Sequence, residues 1–159
     1  MPAGASSSRN VSVFCASDFS AACDVAEKAA LNLVRRAEQN SLGLTAKLEK
    51  RGFPSTVVEE VIERLLDKNL LNDTRFAELW VRSRLSNKKP LTPLWLLSSL
   101  AKKGVDRKSS QKALEKVLDP ETEYTLLLNY AEKSNISGKG LLKREGFSPG
   151  VIDRYYHLL

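Results

Sequence analysis

The sequence predicts an all-α protein of three tandem three-helix repeats in an elongated, modular arrangement. Three observations carry this prediction. First, one segment occurs twice: residues 33–53, LVRRAEQNSLGLTAKLEKRGF, align without a gap on residues 127–147, LLNYAEKSNISGKGLLKREGF, at an offset of 94. The identical pairs are Leu33/Leu127, Ala37/Ala131, Glu38/Glu132, Leu48/Leu142, Gly52/Gly146 and Phe53/Phe147. Second, a looser copy lies between them, where LAKKGV at 100–105 follows the pattern of LEKRGF at 48–53. Repetition of this kind marks an array of supersecondary units rather than one compact core. Third, apolar residues recur at helical spacing through most of the chain, and only Val11-Ser-Val13 alternates like a strand, over too few residues to form one.

The elements follow in order. Residues 1–18 read as a flexible or irregular N-terminal arm. The first repeat, 19–70, opens with a helix over 24–39, rich in Ala and Leu. Asn40 caps a second helix that runs to Arg51 and stops at Gly52. A third follows Pro54, with Val57, Val58, Val61, Ile62 and Leu65 as its apolar stripe. The second repeat, 71–118, starts at the N-cap Asn72, with Phe76, Leu79, Trp80 and Ser83 on one face. Thr92-Pro93 caps its middle helix, Gly104 ends it, and Asp106 caps the next. The third repeat, 119–159, opens at Asp119-Pro120-Glu121 and carries the stripe Tyr124, Leu127, Leu128, Ala131. Gly146 stops its middle helix, and Ser148-Pro149 starts the last, with Ile152, Tyr155, Tyr156 and Leu159 inward.

Counting from each glycine makes the units comparable. Positions +6, +9, +10 and +13 are Val58, Val61, Ile62, Leu65, then Ser110, Ala113, Leu114, Val117, then Ile152, Tyr155, Tyr156, Leu159. All but Ser110 are apolar or aromatic, so these are expected core positions.

At 42% hydrophobic and 28% charged residues the composition is that of a folded chain rather than a disordered one. Net charge is +6, unevenly spread. Residues 86–119 hold eight basic and three acidic groups, whereas 120–159 hold five of each. The middle repeat therefore carries most of the excess. Such a patch suits a polyanion or an acidic protein face, or it serves solubility. Cys15 and Cys23 are too few for a disulfide framework, which fits reduced thiols in a cytoplasm. No apolar run approaches the roughly 20 residues of a membrane span, and residues 1–18 do not form a convincing signal peptide.

Catalytic signals are absent from the sequence. The one histidine, His157, has no nucleophile or carboxylate constellation around it, and there is no phosphate-binding glycine loop. No metal site or cofactor is expected. The basic residues carry more information. Arg75, Arg82 and Arg84 lie on one helix, Lys88 and Lys89 follow in a loop, and Lys102, Lys103, Arg107, Lys108 and Lys112 surround the next turn. Lys102 and Lys103 suit the C-terminal end of a helix, but Arg107 and Lys108 open one, where cations are disfavoured. Phosphate or carboxylate recognition is one reason for that placement. Trp80 lies on an apolar stripe and is expected in the core. Trp95, in the apolar segment 91–97, is also expected there, the alternative being an exposed aromatic that stacks on bases or anchors a protein interface.

The stretch from Leu70 to Arg84, LLNDTRFAELWVRSR, resembles the characteristic motif of the bacterial RecX family, in which a leucine-(Asp/Asn)-Asp-x-Arg-Phe turn leads into a helix ending in Ser-Arg. KRGF at 50–53 before it and LAKKGV at 100–105 after it fit the same context, and the resemblance covers about residues 24–159. It implies three tandem three-helix repeats and a regulator that binds the RecA recombinase on single-stranded DNA; duplex DNA is a further candidate partner, and a monomer is expected. Such a regulator lies in the filament groove and lowers ATP hydrolysis and strand exchange. The ten cations Arg75, Arg82, Arg84, Lys88, Lys89, Lys102, Lys103, Arg107, Lys108 and Lys112 are then the candidate contacts. The chain departs from the family at 92–100, TPLWLLSSL, where Gly-Pro followed by basic and amide residues is common, and at Gly43, where a glutamate is common. The first departure suits a more apolar, protein-binding face. Two other readings are a stand-alone helix-turn-helix nucleic-acid-binding protein and a helical adaptor whose charge serves solubility.

Overall fold

The computed structural model describes residues 16–136 and 138–159. Among them lie nine helices and no strand. The first triplet is α1 (Ala16–Arg36), α2 (Ser41–Lys50) and α3 (Ser55–Asp67). The second is α4 (Asp73–Leu85), α5 (Pro93–Lys102) and α6 (Arg107–Val117), and the third is α7 (Pro120–Ser134), α8 (Lys139–Arg144) and α9 (Pro149–His157). Within each triplet the third helix packs on the other two: α3 on α1 and α2, α6 on α4 and α5, α9 on α7 and α8.

Local chemistry sets the helix starts. The side chains of Asn72, Thr92, Asp106 and Asp119 each accept a backbone N–H from the first turn of α4, α5, α6 and α7. Asn40 stands at the N-cap of α2 but caps nothing with its side chain. It donates instead to the carbonyl of Lys103, 63 residues away, at 2.6 Å.

Several expectations are corrected. Helix α1 begins at Ala16 rather than at 24, so 16–18 are helical and only 1–15 of the expected arm lie outside the described residues, as does Val11-Ser-Val13. Phe19 and Ala22 pack on the core of the first triplet, which rewards the extra turns. The buried face of α4 is Ala77 and Val81, with Phe76 and Trp80 beside it, while Leu79 and Ser83 are exposed. Small residues at 77 and 81 let α6 approach closely, and that packing turns the expected stripe by about one position. On α7 the buried residues are Leu126, Leu127 and Ala131, and Leu128 faces out. Leu159 lies beyond α9 and is exposed. Ser110, the polar exception among the glycine-counted positions, is buried, with its hydroxyl unpartnered.

The apolar interior forms two bodies rather than three. One belongs to the first triplet, with Cys23, Leu44, Leu48, Val61 and Leu65 at its centre. The other runs without a break from Ala77 and Leu96 through Leu114 to Leu127, Leu142 and Ile152, so the second and third triplets share a core.

One design recurs at both joints between triplets. The turn after the middle helix of one unit docks on the N-terminus of the middle helix of the unit before it. At the first joint Lys103-Gly104 meets α2: Asn40 bonds the Lys103 carbonyl and Leu42 lies over Gly104. At the second, Glu145-Gly146 meets α5. The Leu94 N–H donates to the Glu145 carbonyl at 2.9 Å, the Thr92 hydroxyl donates to Glu145 Oε2 at 2.9 Å, and Pro93 packs on Gly146. Gly104 (φ +85°) and Gly146 (φ +88°) turn the chain in a left-handed conformation that other residues resist. A Cβ on Gly104 would also overlap Leu42, and one on Gly146 would come within 3.2 Å of the Leu94 nitrogen. The first joint has further ties. Asp73 Oδ1 accepts from the N–H of Ser41 at 2.7 Å, and Arg75 Nε donates to Glu38 at 2.7 Å.

Candidate nucleic-acid interface

The second triplet, residues 71–118, carries eleven cations and four carboxylates. Structure decides how much of that charge is free. Asp73 is bound to Ser41, Glu78 pairs with Lys116 at 2.9 Å, and Asp106 caps α6. The carboxyl of Asp106 lies below its ordinary range, first because of the Ser109 hydroxyl and then because of the Ser109 backbone N–H. Only Glu115 remains outside such bonds among the described residues. Asp73 and Asp106 keep their charge within these hydrogen bonds and only Glu78 meets a cation, so the basic excess of the triplet rests on eleven cations against four carboxylates.

The ten cations singled out in the sequence separate into distinct settings. Arg75 is a structural clamp: besides Glu38, it donates to the carbonyls of Asn69 and Leu70, both at 3.2 Å, and so ties α4 to the end of the first triplet. The other nine form no ion pair among the described residues. Arg84, Lys89 and Lys103 gather around the two tryptophans. Arg84 Cζ stands 5.1 Å and Lys103 Nζ 5.8 Å from the centre of the Trp80 ring. Lys89 and Arg84 line a groove of about 170 Å³ with Asn87, Leu91 and Trp95. Lys88 borders the same loop, and its carbonyl accepts from Lys133 of α7, a cation that sequence reasoning missed. Arg107 lies apart, in an apolar hollow of about 310 Å³ on α5 and α6 with Leu94, Leu97 and Val105. Arg82, Lys102, Lys108 and Lys112 are exposed, with no contact that draws them to the tryptophans.

The main correction concerns Trp95. It is 46% exposed, not core, and Leu94 beside it is 45% exposed. Trp80 is half-buried and stacks on Trp95, with ring centres 6.1 Å apart and planes 19° apart. Nearly half of the Trp95 surface faces solvent. For a side chain of this size that forgoes on the order of 2–3 kcal/mol of burial. The backbone of Trp95 is nevertheless well anchored, because its main-chain N–H donates to the Thr92 hydroxyl at 3.1 Å and Thr92 is bonded to Glu145. Two donors in this cluster, Trp80 Nε1 and Arg84 Nε, are shielded from solvent and have no acceptor. His157, at the end of α9, is exposed. Among the described residues no helix is long and apolar enough to cross a membrane.

Fold and surface together define a class: a tandem three-helix-repeat protein whose middle triplet is basic and carries a stacked, half-exposed tryptophan pair. Comparison with known proteins narrows it. The sequence model of the RecX second three-helix domain matches residues 72–114. Regulatory protein RecX of Treponema pallidum (strain Nichols) is 36% identical over 142 residues, which cover 86% of each chain. Regulatory protein RecX of Corynebacterium efficiens is 38% identical over 100 residues, covering 63% of this chain and 46% of that one. The crystal structure of RecX from Lactobacillus salivarius superposes with a TM-score of 0.65 at 25% identity, over 88% of this chain and 97% of that one. The chain belongs to the RecX family of regulatory proteins.

Proposed function

We propose that the protein modulates the RecA recombinase, as an inhibitor. It binds the RecA filament on single-stranded DNA and lowers ATP hydrolysis and strand exchange. Family membership supports the partner. The observation that supports the mode of binding is the basic surface of the second triplet, where nine of the ten candidate cations have no acidic partner among the described residues. A modular chain with this face in its middle suits insertion along a filament groove, with the cations against DNA phosphate or acidic RecA residues. Arg75 drops out of the contact set, since its guanidinium is already committed to the first joint.

The test is a titration of the purified protein into RecA hydrolysing ATP on single-stranded DNA. Hydrolysis falls as the protein approaches stoichiometry, and no change at that ratio defeats the reading. If about four phosphates are neutralised, log affinity for single strands falls with log salt at a slope near −3. A flat salt response removes DNA from the reading and leaves a purely protein-binding face.

A further inference from the structure

We propose that Trp95, backed by Trp80 and flanked by Arg84, Lys89 and Lys103, is a base-stacking site for single-stranded nucleic acid. The inference rests on the reading of the basic face as a nucleic-acid contact, and it names what that contact grips beyond phosphate. Each feature restricts the ligand. The half-exposed indole of Trp95 offers a flat π-surface, and the Thr92 cap fixes the backbone that carries it in the first turn of α5. Trp80 stacks on it and stiffens it. Arg84 and Lys103 bring positive charge within 5.1 and 5.8 Å of the Trp80 ring, and Lys89 lines the adjoining groove.

A ligand that answers all of these is planar and anionic. An unstacked nucleotide within a strand meets that description, since its base has a π-face and its phosphates carry the charge. A duplex does not, because its base faces are covered by their neighbours. The site differs from a patch of cations in one measurable respect: it responds to the presence of the base, not only to the phosphate count.

The experiment uses the full chain without RecA. Oligothymidylate and an abasic oligonucleotide of equal length and charge are titrated at low salt, with anisotropy of the labelled strand giving affinity and tryptophan fluorescence reporting stacking. The thymidine strand is expected to quench the fluorescence and to bind roughly 5- to 100-fold more tightly than the abasic strand. Trp95→Ala abolishes that preference and leaves the salt slope unchanged, while Trp95→Phe keeps most of it. Lys88→Glu with Lys89→Glu weakens both strands alike. Equal affinity for the two strands, or an unchanged preference in Trp95→Ala, overturns stacking while leaving the basic-face reading intact. Binding of neither strand overturns both DNA readings, and if Trp95→Ala then still lowers binding to RecA, the tryptophan anchors a protein interface instead. Helical signal and unfolding midpoint confirm that each variant is folded.

Discussion

Asn40 Nδ2 donates to the carbonyl of Lys103 at 2.6 Å and thereby joins two three-helix units through a residue placed to cap a helix. The amide is 6% exposed, so water does not replace the bond if it is lost. Asn40→Ala is expected to lower stability by about 1–2 kcal/mol, since the Lys103 carbonyl loses the amide that joins the two units. Urea unfolding checks this. An unchanged midpoint would mean that the joint is held by apolar contact alone.

The glycine turns allow packing to be separated from backbone strain. Gly52 (φ +92°) and Gly104 (φ +85°) share a conformation, but a Cβ on Gly52 meets nothing whereas one on Gly104 runs into Leu42. Gly52→Ala carries the conformational cost alone, roughly 1–2 kcal/mol. Gly104→Ala is expected to lose clearly more. The extra loss should shrink when Leu42 is also cut back to Ala, a double-mutant cycle that measures the contact directly.

Arg75 and its neighbouring cations should respond oppositely to substitution. Arg75→Ala breaks the tie to Glu38 and two backbone carbonyls, with an expected loss of about 1–2 kcal/mol of stability. Lys108→Glu and Lys112→Glu should not lower the unfolding midpoint and should weaken binding to RecA–DNA filaments. Thermal melts and filament co-sedimentation on the same samples distinguish the two classes.

Acid should weaken the fold through identifiable carboxylates. Glu27 is held below its ordinary 4.5, first by the hydrogen bond from Lys68, and Asp106 below 3.8, first by the Ser109 hydroxyl. Both bind protons less readily folded than unfolded. The stability they contribute is complete above those ordinary values and is lost as pH falls through the lower folded ones. Denaturant midpoints measured from pH 6 down to pH 3 should fall over the lower part of that range. Glu27→Gln and Asp106→Asn should flatten the fall, and equal curves for wild type and variants would assign the effect to other groups.

Cys23 offers a probe of the divided interior. Its thiol is fully buried in the first triplet, and burial pushes its pKa up, so it is unreactive while that triplet is closed. With Cys15→Ser removing the other thiol, modification should begin at denaturant concentrations below those that expose Trp80. Simultaneous exposure would show that the two cores unfold as one.

What the sequence discloses and what it hides divide along physical lines. The glycine turns and the caps Asn72, Thr92, Asp106 and Asp119 are local, set by a few adjacent residues, and they stand where the pattern places them. The buried face of α4 escapes the pattern because Leu79 outranks Ala77 in hydropathy, while close packing on α6 selects the smaller residue. Trp95 is expected inside because tryptophan is usually buried. Its exposure follows from where Thr92 and Glu145 pin the start of α5, a contact spanning 53 residues that no local pattern reveals. For the same reason Arg75 resembles its neighbouring cations until Glu38 is found beside it.

The unequal division of the interior also bears on how such a chain can change in length. Between the second and third triplets the core is continuous, and a unit added there would have to be matched to both sides. Between the first and second, the joint is a glycine turn, an asparagine, a leucine and a few polar bonds. A duplicated first triplet would bring a second Asn40 and Leu42 and would offer its own glycine turn, at Gly52, in the place of Gly104. Growth by gene duplication therefore meets least resistance at one point in this chain, just before Asn72.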